Sequence, residues 1–236
     1  MNVSCIIPTW NESAAIRKAI ESAWQSGAAE VIVADGGSRD DTRELAAAAG
    51  ARVIATPAGR ARQQNAGARE ATGDVLLFLH ADTRLAEDCV QQIRVAFDRQ
   101  PNRWGGAFRQ RIEARGWLYR CLETGNAARI RFRGVPFGDQ AIFVRREIFF
   151  AAGGFPEVAL MEDLILMRHL RRQAWPVLLP GPLSVSPRRW QRHGIVRQTL
   201  RNWWLQAAYY CGVSPDRLAA HYPRHAENKP AGQPSR

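Results

Sequence analysis

Lysine is nearly missing from this chain: Lys18 and Lys229 are the only two, although Lys+Arg number 33. The positive charge is therefore carried by arginine, whose planar fork of donors suits phosphate and carboxylate. It is also unevenly placed, since residues 101–204 hold 18 Lys+Arg against 7 Asp+Glu while residues 1–100 hold 11 against 13. An anionic ligand or surface is implied for the second half; arginine-rich codon usage on solvated faces is the plainer alternative. Cysteine is scarce, and Cys5, Cys89, Cys121 and Cys211 show no paired spacing. That excludes a zinc-ribbon or disulfide framework and fits reduced thiols. There is no basic leader followed by an apolar run, and nothing approaches the roughly 20 apolar residues that span a bilayer, so a cytoplasmic protein is expected. No GxGxxG follows a strand, which disfavours a nicotinamide enzyme.

What is present is a regular alternation. Apolar runs such as "VSCIIPT", "EVIVADGGS", "ARVIATP" and "DVLLFLHADT" are separated by helical stretches of ten to fifteen residues. This pattern argues for βαβ units on a parallel sheet, with the loops after the strands gathered on one edge. The fold class expected is α/β: a Rossmann-like, mostly parallel sheet flanked by helices, with a C-terminal helical extension. One domain over residues 1–222 is expected, with a ligand-binding half at 1–100, a second half at 101–190 and C-terminal helices at 191–222. Residues 223–236, polar and rich in Pro and Gly, are expected to be a flexible tail.

Four constellations stand at the expected strand ends. In "IIPTWNE", Pro8 and Thr9 close a strand and Asn11 is placed to cap a helix starting near Glu12. In "VADGGSRDDT", Asp35 can accept from a base or ribose, Gly36 lets the backbone approach a ligand, and Ser38 can cap the next helix. In "GRARQQNAGA", Arg60, Gln64 and Asn65 lie at a helix start that can meet a diphosphate. In "VLLFLHADT", an apolar run that reads as a buried strand stops at His80, Ala81 and Asp82. A strand-end carboxylate there can hold a hard divalent cation such as Mg²⁺ or Mn²⁺.

These motifs, with "GGF" at 153–155 and "MED" at 161–163, resemble the family 2 glycosyltransferases of the GT-A fold over roughly residues 1–190. The resemblance implies that Asp35 contacts a uracil and that Asp82 ligates a metal on a nucleotide diphosphate. It also implies that the Glu162-Asp163 pair supplies the base for an inverting displacement. His80 stands where that family usually has a first Asp, so Asp82 is the expected carboxylate ligand, with His80 as an optional second ligand better suited to Mn²⁺ than to Mg²⁺.

"GVPFGDQAIFVRR", "GGFPEVALMEDLILMRHLRR" and "SPRRWQRHG" extend the resemblance to the arsenosugar-type transferases that include selenosugar synthases of selenoneine biosynthesis. That subgroup implies a UDP-sugar donor, UDP-N-acetylglucosamine or UDP-glucose, and selenophosphate as acceptor, giving a 1-selenosugar. Arg129, Arg131 and Arg133 alternate, so an extended segment would present them on one face, and Arg188, Arg189 and Trp190 form a second basic cluster; both are candidate acceptor or diphosphate contacts. A polyprenyl phosphate or saccharide acceptor is the alternative within the same chemistry, and a polyanion-binding protein the alternative from another class, with nucleic acid disfavoured. The aromatic helix carrying Trp203 and Trp204 is expected to pack on the domain or to form a homodimer contact rather than to lie on a membrane.

Overall fold

The computed structural model describes residues 1–221, apart from the side chains of Arg189 and His193. The expected tail from 223 lies outside the described residues. The first half is built as β1 (Val3–Thr9), α1 (Ile16–Gln25), β2 (Glu30–Asp35), α2 (Thr42–Ala48), β3 (Arg52–Ala55), α3 (Arg60–Glu70) and β4 (Val75–Phe78). Then follow β5 (Thr83–Leu85), α4 (Cys89–Arg99), β6 (Gly105–Ile112), α5 (Trp117–Arg133), β7 (Phe143–Arg145) and α6 (Arg146–Ala151). The chain ends with α7 (Glu162–Leu170), β8 (Val177–Val185), α8 (Arg188–His193), α9 (Ile195–Tyr210) and α10 (Pro215–Ala219).

All eight strands join one sheet in the order β3-β2-β1-β4-β7-β6-β8-β5. Four pairings are parallel (β1–β2, β1–β4, β2–β3, β6–β8) and three antiparallel (β4–β7, β6–β7, β5–β8), so the sheet is mixed, its parallel part confined mainly to the first half. The apolar run of β4 is explained by burial on both faces. Leu76 and Phe78 enter the core beneath α3 and α7, whereas Val75, Leu77 and Leu79 enter the one beneath α1 and α4. Backbone pairing continues to Leu79, whose N–H donates to the Ile6 carbonyl, and then stops. The Thr83 amide and hydroxyl both donate to the His80 carbonyl, at 3.1 and 2.7 Å, and close the turn that presents Asp82.

α3 lies close on the sheet: a Cβ at Gly67 would fall 2.5 Å from Ile6 Cγ2, so only glycine permits this approach. It carries Arg60 to the edge where β1, β2 and β4 end.

The second half departs from the sequence reading in one respect. The segment holding Arg129, Arg131 and Arg133 is the end of the 17-residue helix α5, with Tyr119, Ala127 and Ile130 buried, and not an extended strand. The three arginines therefore do not share one face. Arg129 turns inward, its guanidinium 3.6 Å from the Phe137 ring centroid and donating to Val135 O, Asn126 Oδ1 and Gln140 Oε1. Burial pulls its pKa down from the ordinary value, opposed by the charges of Asp139 and Asp163. Arg131 and Arg133 are exposed.

The C-terminal helices are present as expected, but α9 does not bury its tryptophans. Trp203 is 63% and Trp204 52% exposed, while Leu205 packs with Leu160 and Leu218. All four cysteines are free.

Candidate functional site

The strand ends open into a cavity of about 750 Å³. Pro8, Thr9, Trp10 and Glu12 line one wall, Arg60 and Gln63 another, and His80, Ala81 and Asp82 the base, while Val158, Leu160 and Ala219 supply apolar surface. α10 closes the rim because Asp216 Oδ1 accepts from the Ala159 amide at 3.1 Å. The cavity thus unites the first, third and fourth constellations in the place where open α/β sheets bind ligands.

Asp35 does not line this cavity. It is 1% exposed, and its carboxylate accepts from the amides of Gly37 and Ser38, each at 2.9 Å, and from the Ser38 hydroxyl. In this structure it braces the loop after β2. Gly36 packs tightly there: a Cβ would fall 3.0 Å from Gln63 Nε2, which donates to the carbonyls of Thr9 and Ala34 at 2.7 and 2.9 Å. Gln63 was not among the expected residues, yet it ties β1, β2 and α3 together at the mouth.

Asn11 does not cap α1. Its φ is +54°, its side-chain oxygen accepts from the Arg39 amide at 2.8 Å, and its own amide donates to Ser38 Oγ at 2.9 Å, so it joins the first loop to the second. Asn65 likewise serves the scaffold, exchanging two hydrogen bonds with the backbone of Phe155 at 2.8 and 2.9 Å. Gln64 is buried beside it, its Oε1 without a hydrogen-bond partner among the described residues.

Glu162 and Asp163 begin α7 and part company there. Glu162 is 2% exposed and ion-paired with Arg60, which locks α3 to α7. Asp163 is half-buried, accepting from the Gly138 amide on Oδ2 and from the Leu164 amide on Oδ1, both at 2.7 Å. A Cβ at Gly138 would fall 3.1 Å from His80 Nε2 and 3.3 Å from Asp163 Oδ2. His80 and Asp163 therefore converge on one point, 83 residues apart in sequence, with Asp82 two residues beyond His80. Of the pair, Asp163 is the less buried carboxylate.

Arg188, from the second basic cluster, reaches the cavity rim, its Nη2 3.5 Å from Glu12 Oε2. Trp190 instead packs edge-on against Tyr119 at 6.4 Å and against the core. The side chain of Arg189 lies outside the described residues.

Glu12 carries the clearest electrostatic signature. Burial first, and then the negative charge of Asp82, push its pKa from the ordinary 4.5 to about 7, against the pull of Arg188. Folding therefore takes up a proton at Glu12 between those two values, and its contribution to stability falls as pH rises through that window. Glu12→Gln is expected to be neutral near pH 4.5 and more stable than wild type at pH 8 by on the order of 1–2 kcal/mol, read from urea unfolding at the two pH values. An equal effect at both would contradict the coupling.

The same pair bears on metal binding. Carboxylate oxygens of Glu12 and Asp82 are the hard donors that Mg²⁺ or Mn²⁺ takes, and a cation between them would offset their repulsion. The residues present therefore fit a divalent cation. Among the described residues no three His, Cys, Asp or Glu are gathered for a closed site, so its remaining ligands would come from substrate and water.

A sequence model described as Glycosyl transferase family 2 matches residues 4–153. The glycosyltransferase AglJ of Haloferax volcanii is 51% identical over 51 residues, 21% of this chain and 17% of that protein. S. aureus TarS residues 1–349 in complex with UDP-GlcNAc superpose with a TM-score of 0.60 at 16% identity, covering 79% of this chain and 58% of that one. Glucosyl-3-phosphoglycerate synthase from Mycobacterium tuberculosis, in complex with Mn²⁺, UDP and glucosyl-3-phosphoglycerate, gives a TM-score of 0.55 at 19% identity over 78% of this chain and 70% of that one. At these identities the structures share a fold. The chain spans less than a fifth of the archaeal relative and 37% of the longer TarS chain.

Proposed function

The chain belongs to glycosyl transferase family 2, and on that premise we propose that it transfers a sugar from a UDP-sugar, UDP-N-acetylglucosamine or UDP-glucose, to selenophosphate. The observation that carries the reading is that His80 and Asp82 line one cavity together with Arg60 and Glu12, while Asp163 meets His80 across Gly138. Two fold neighbours, TarS with UDP-GlcNAc and the synthase with Mn²⁺, UDP and a phosphorylated product, support a UDP donor, a divalent cation and an anionic acceptor.

The diphosphate would lie against Arg60 and Arg188, with Asp82 and Glu12 holding the cation. Bound there, that cation supplies Lewis-acid stabilisation of charge on the departing UDP. Asp35 acts through its loop, fixing Gly36 and Ser38 where the nucleoside would rest. Asp163, held by two amides, faces the acceptor. Selenium attacks the anomeric carbon with inversion as the bond to UDP breaks, UDP taking the electron pair. Hydrolysis of the Se–P bond then releases phosphate and the 1-selenosugar.

A polyprenyl phosphate is the second reading, favoured by the exposed aromatics of α9 and the arginines beside Tyr210. Donor class is tested by calorimetric titration with UDP, UDP-GlcNAc, UDP-glucose and GDP-mannose in the presence of Mn²⁺. Uridine ligands are expected to bind, and Asp35→Ala to weaken them about tenfold through loss of loop order. Binding of GDP-mannose alone would overturn the donor assignment.

A further inference from the structure

Residues 164–215 contain eight arginines and not one Asp or Glu. Within them, α9 buries Leu205 but leaves most of its large apolar side chains exposed. Gln198 is fully buried and hydrogen-bonded to Asn202 at 2.9 Å, while Val196, Leu200, Trp203 and Trp204 face solvent. The exposed residues at 196, 200, 203, 207 and 210 form one apolar stripe along the helix. A water-facing helix presents the opposite arrangement, so this stripe calls for a covering partner.

Tyr210, the last residue of the stripe, also lines a second concavity of about 380 Å³ with Phe132, Trp175 and four arginines, Arg133, Arg168, Arg171 and Arg172. None of these four forms an ion pair with a carboxylate among the described residues. They are held together despite their repulsion: Arg168 stacks 5.1 Å from the Tyr210 ring centroid, and Arg171 donates to the Arg133 carbonyl. Phe132, at the rim, is 74% exposed. Aromatic stripe and cationic concavity are thus one continuous surface, distinct from the cavity at the strand ends.

Three occupants can be weighed. A second copy of the chain would bring Arg197 and the unneutralised arginines against a surface of the same sign. Residues 222–236 contain a single aromatic, Tyr222, and too little apolar surface to cover the stripe. An anionic bilayer satisfies both halves, because tryptophan and tyrosine rest at the headgroup level while arginines meet lipid phosphates.

We propose that α9 and the adjoining arginine concavity dock on an anionic membrane surface, with Leu200 and Trp203 entering the headgroup region and Arg168, Arg171 and Arg172 contacting lipid phosphates. The proposal is independent of which sugar or acceptor the cavity takes. It is tested by co-sedimentation with phosphatidylcholine vesicles, alone or with a third of phosphatidylglycerol, at low and high salt, together with analytical ultracentrifugation of the protein alone. The variants are Leu200→Ser/Trp203→Ser and Arg171→Gln/Arg172→Gln, each checked for an unchanged melting temperature.

The protein is expected to bind the anionic vesicles and to be released by salt. The arginine variant should bind roughly twentyfold more weakly, at about fivefold per basic residue near the surface, and the apolar variant should lose most binding at high salt and low. Absence of binding to anionic vesicles, or equal binding to neutral ones, would overturn the proposal. So would a concentration-dependent dimer that the Leu200→Ser/Trp203→Ser change dissociates without any vesicle binding, since the stripe would then be an interface between copies.

Discussion

Asp82→Asn is expected to reduce turnover by roughly three orders of magnitude, the consequence of losing several kcal/mol of charge stabilisation on a leaving diphosphate. The substitution keeps shape and removes the charge, and the turn that presents residue 82 is closed by Thr83 and His80, not by the Asp82 side chain. Folding should therefore be unaffected, which circular dichroism and the melting temperature will check. UDP release is the activity readout. His80, the other polar residue of the motif, carries no carboxylate that could take over the charge, and Glu12 is the carboxylate whose charge Asp82 is coupled to. A loss of less than tenfold in a folded protein would remove Asp82 from the chemistry.

The second large effect concerns Asp163. Its two oxygens are fixed by the amides of Gly138 and Leu164, so Asp163→Asn would also turn one amide donor against another. A saccharide hydroxyl must lose its proton as it attacks, and there the loss is expected to be about a thousandfold, within the range of general-base catalysis. Selenophosphate is already anionic and needs no base, so its turnover should fall only about tenfold. The ratio of the two losses is the readout, and equal losses would contradict the assignment of an anionic nucleophile.

Much of this was legible in the sequence because local patterns coincide with tertiary roles. The run ending at Asp82 reads as a buried strand since Val75–Phe78 is buried on both faces, and strand ends in an α/β sheet converge whatever the details of packing. Partner identity was not legible. Asp35 sits where the pattern puts it, yet which donors fill its carboxylate depends on how the loop after β2 folds back. The encounter of Glu12 with Asp82, and that of His80 with Asp163 across Gly138, join residues separated by 70 and 83 positions.

The arginines at 129, 131 and 133 show a different failure. Alternation over five residues suggests a strand, but the longer run 119, 127 and 130 of buried residues is helical, and the longer pattern governs because it carries the packing. Asn11 does not cap because the chain turns through a positive φ before α1 begins, four residues later than the expected start near Glu12. The tryptophans of α9 were expected to be covered, and their exposure is the observation from which the membrane proposal starts.

The account's central claim is that this cavity joins a UDP-sugar to a small selenium anion with the help of a divalent cation. Mass spectrometry of the products formed from UDP-GlcNAc or UDP-glucose with selenophosphate, with and without a chelator, tests it most directly. The account predicts a 1-selenosugar that appears together with UDP and phosphate and disappears when the cation is removed. UDP release to a hydroxyl acceptor, with no selenosugar from folded, metal-supplied protein, would contradict it.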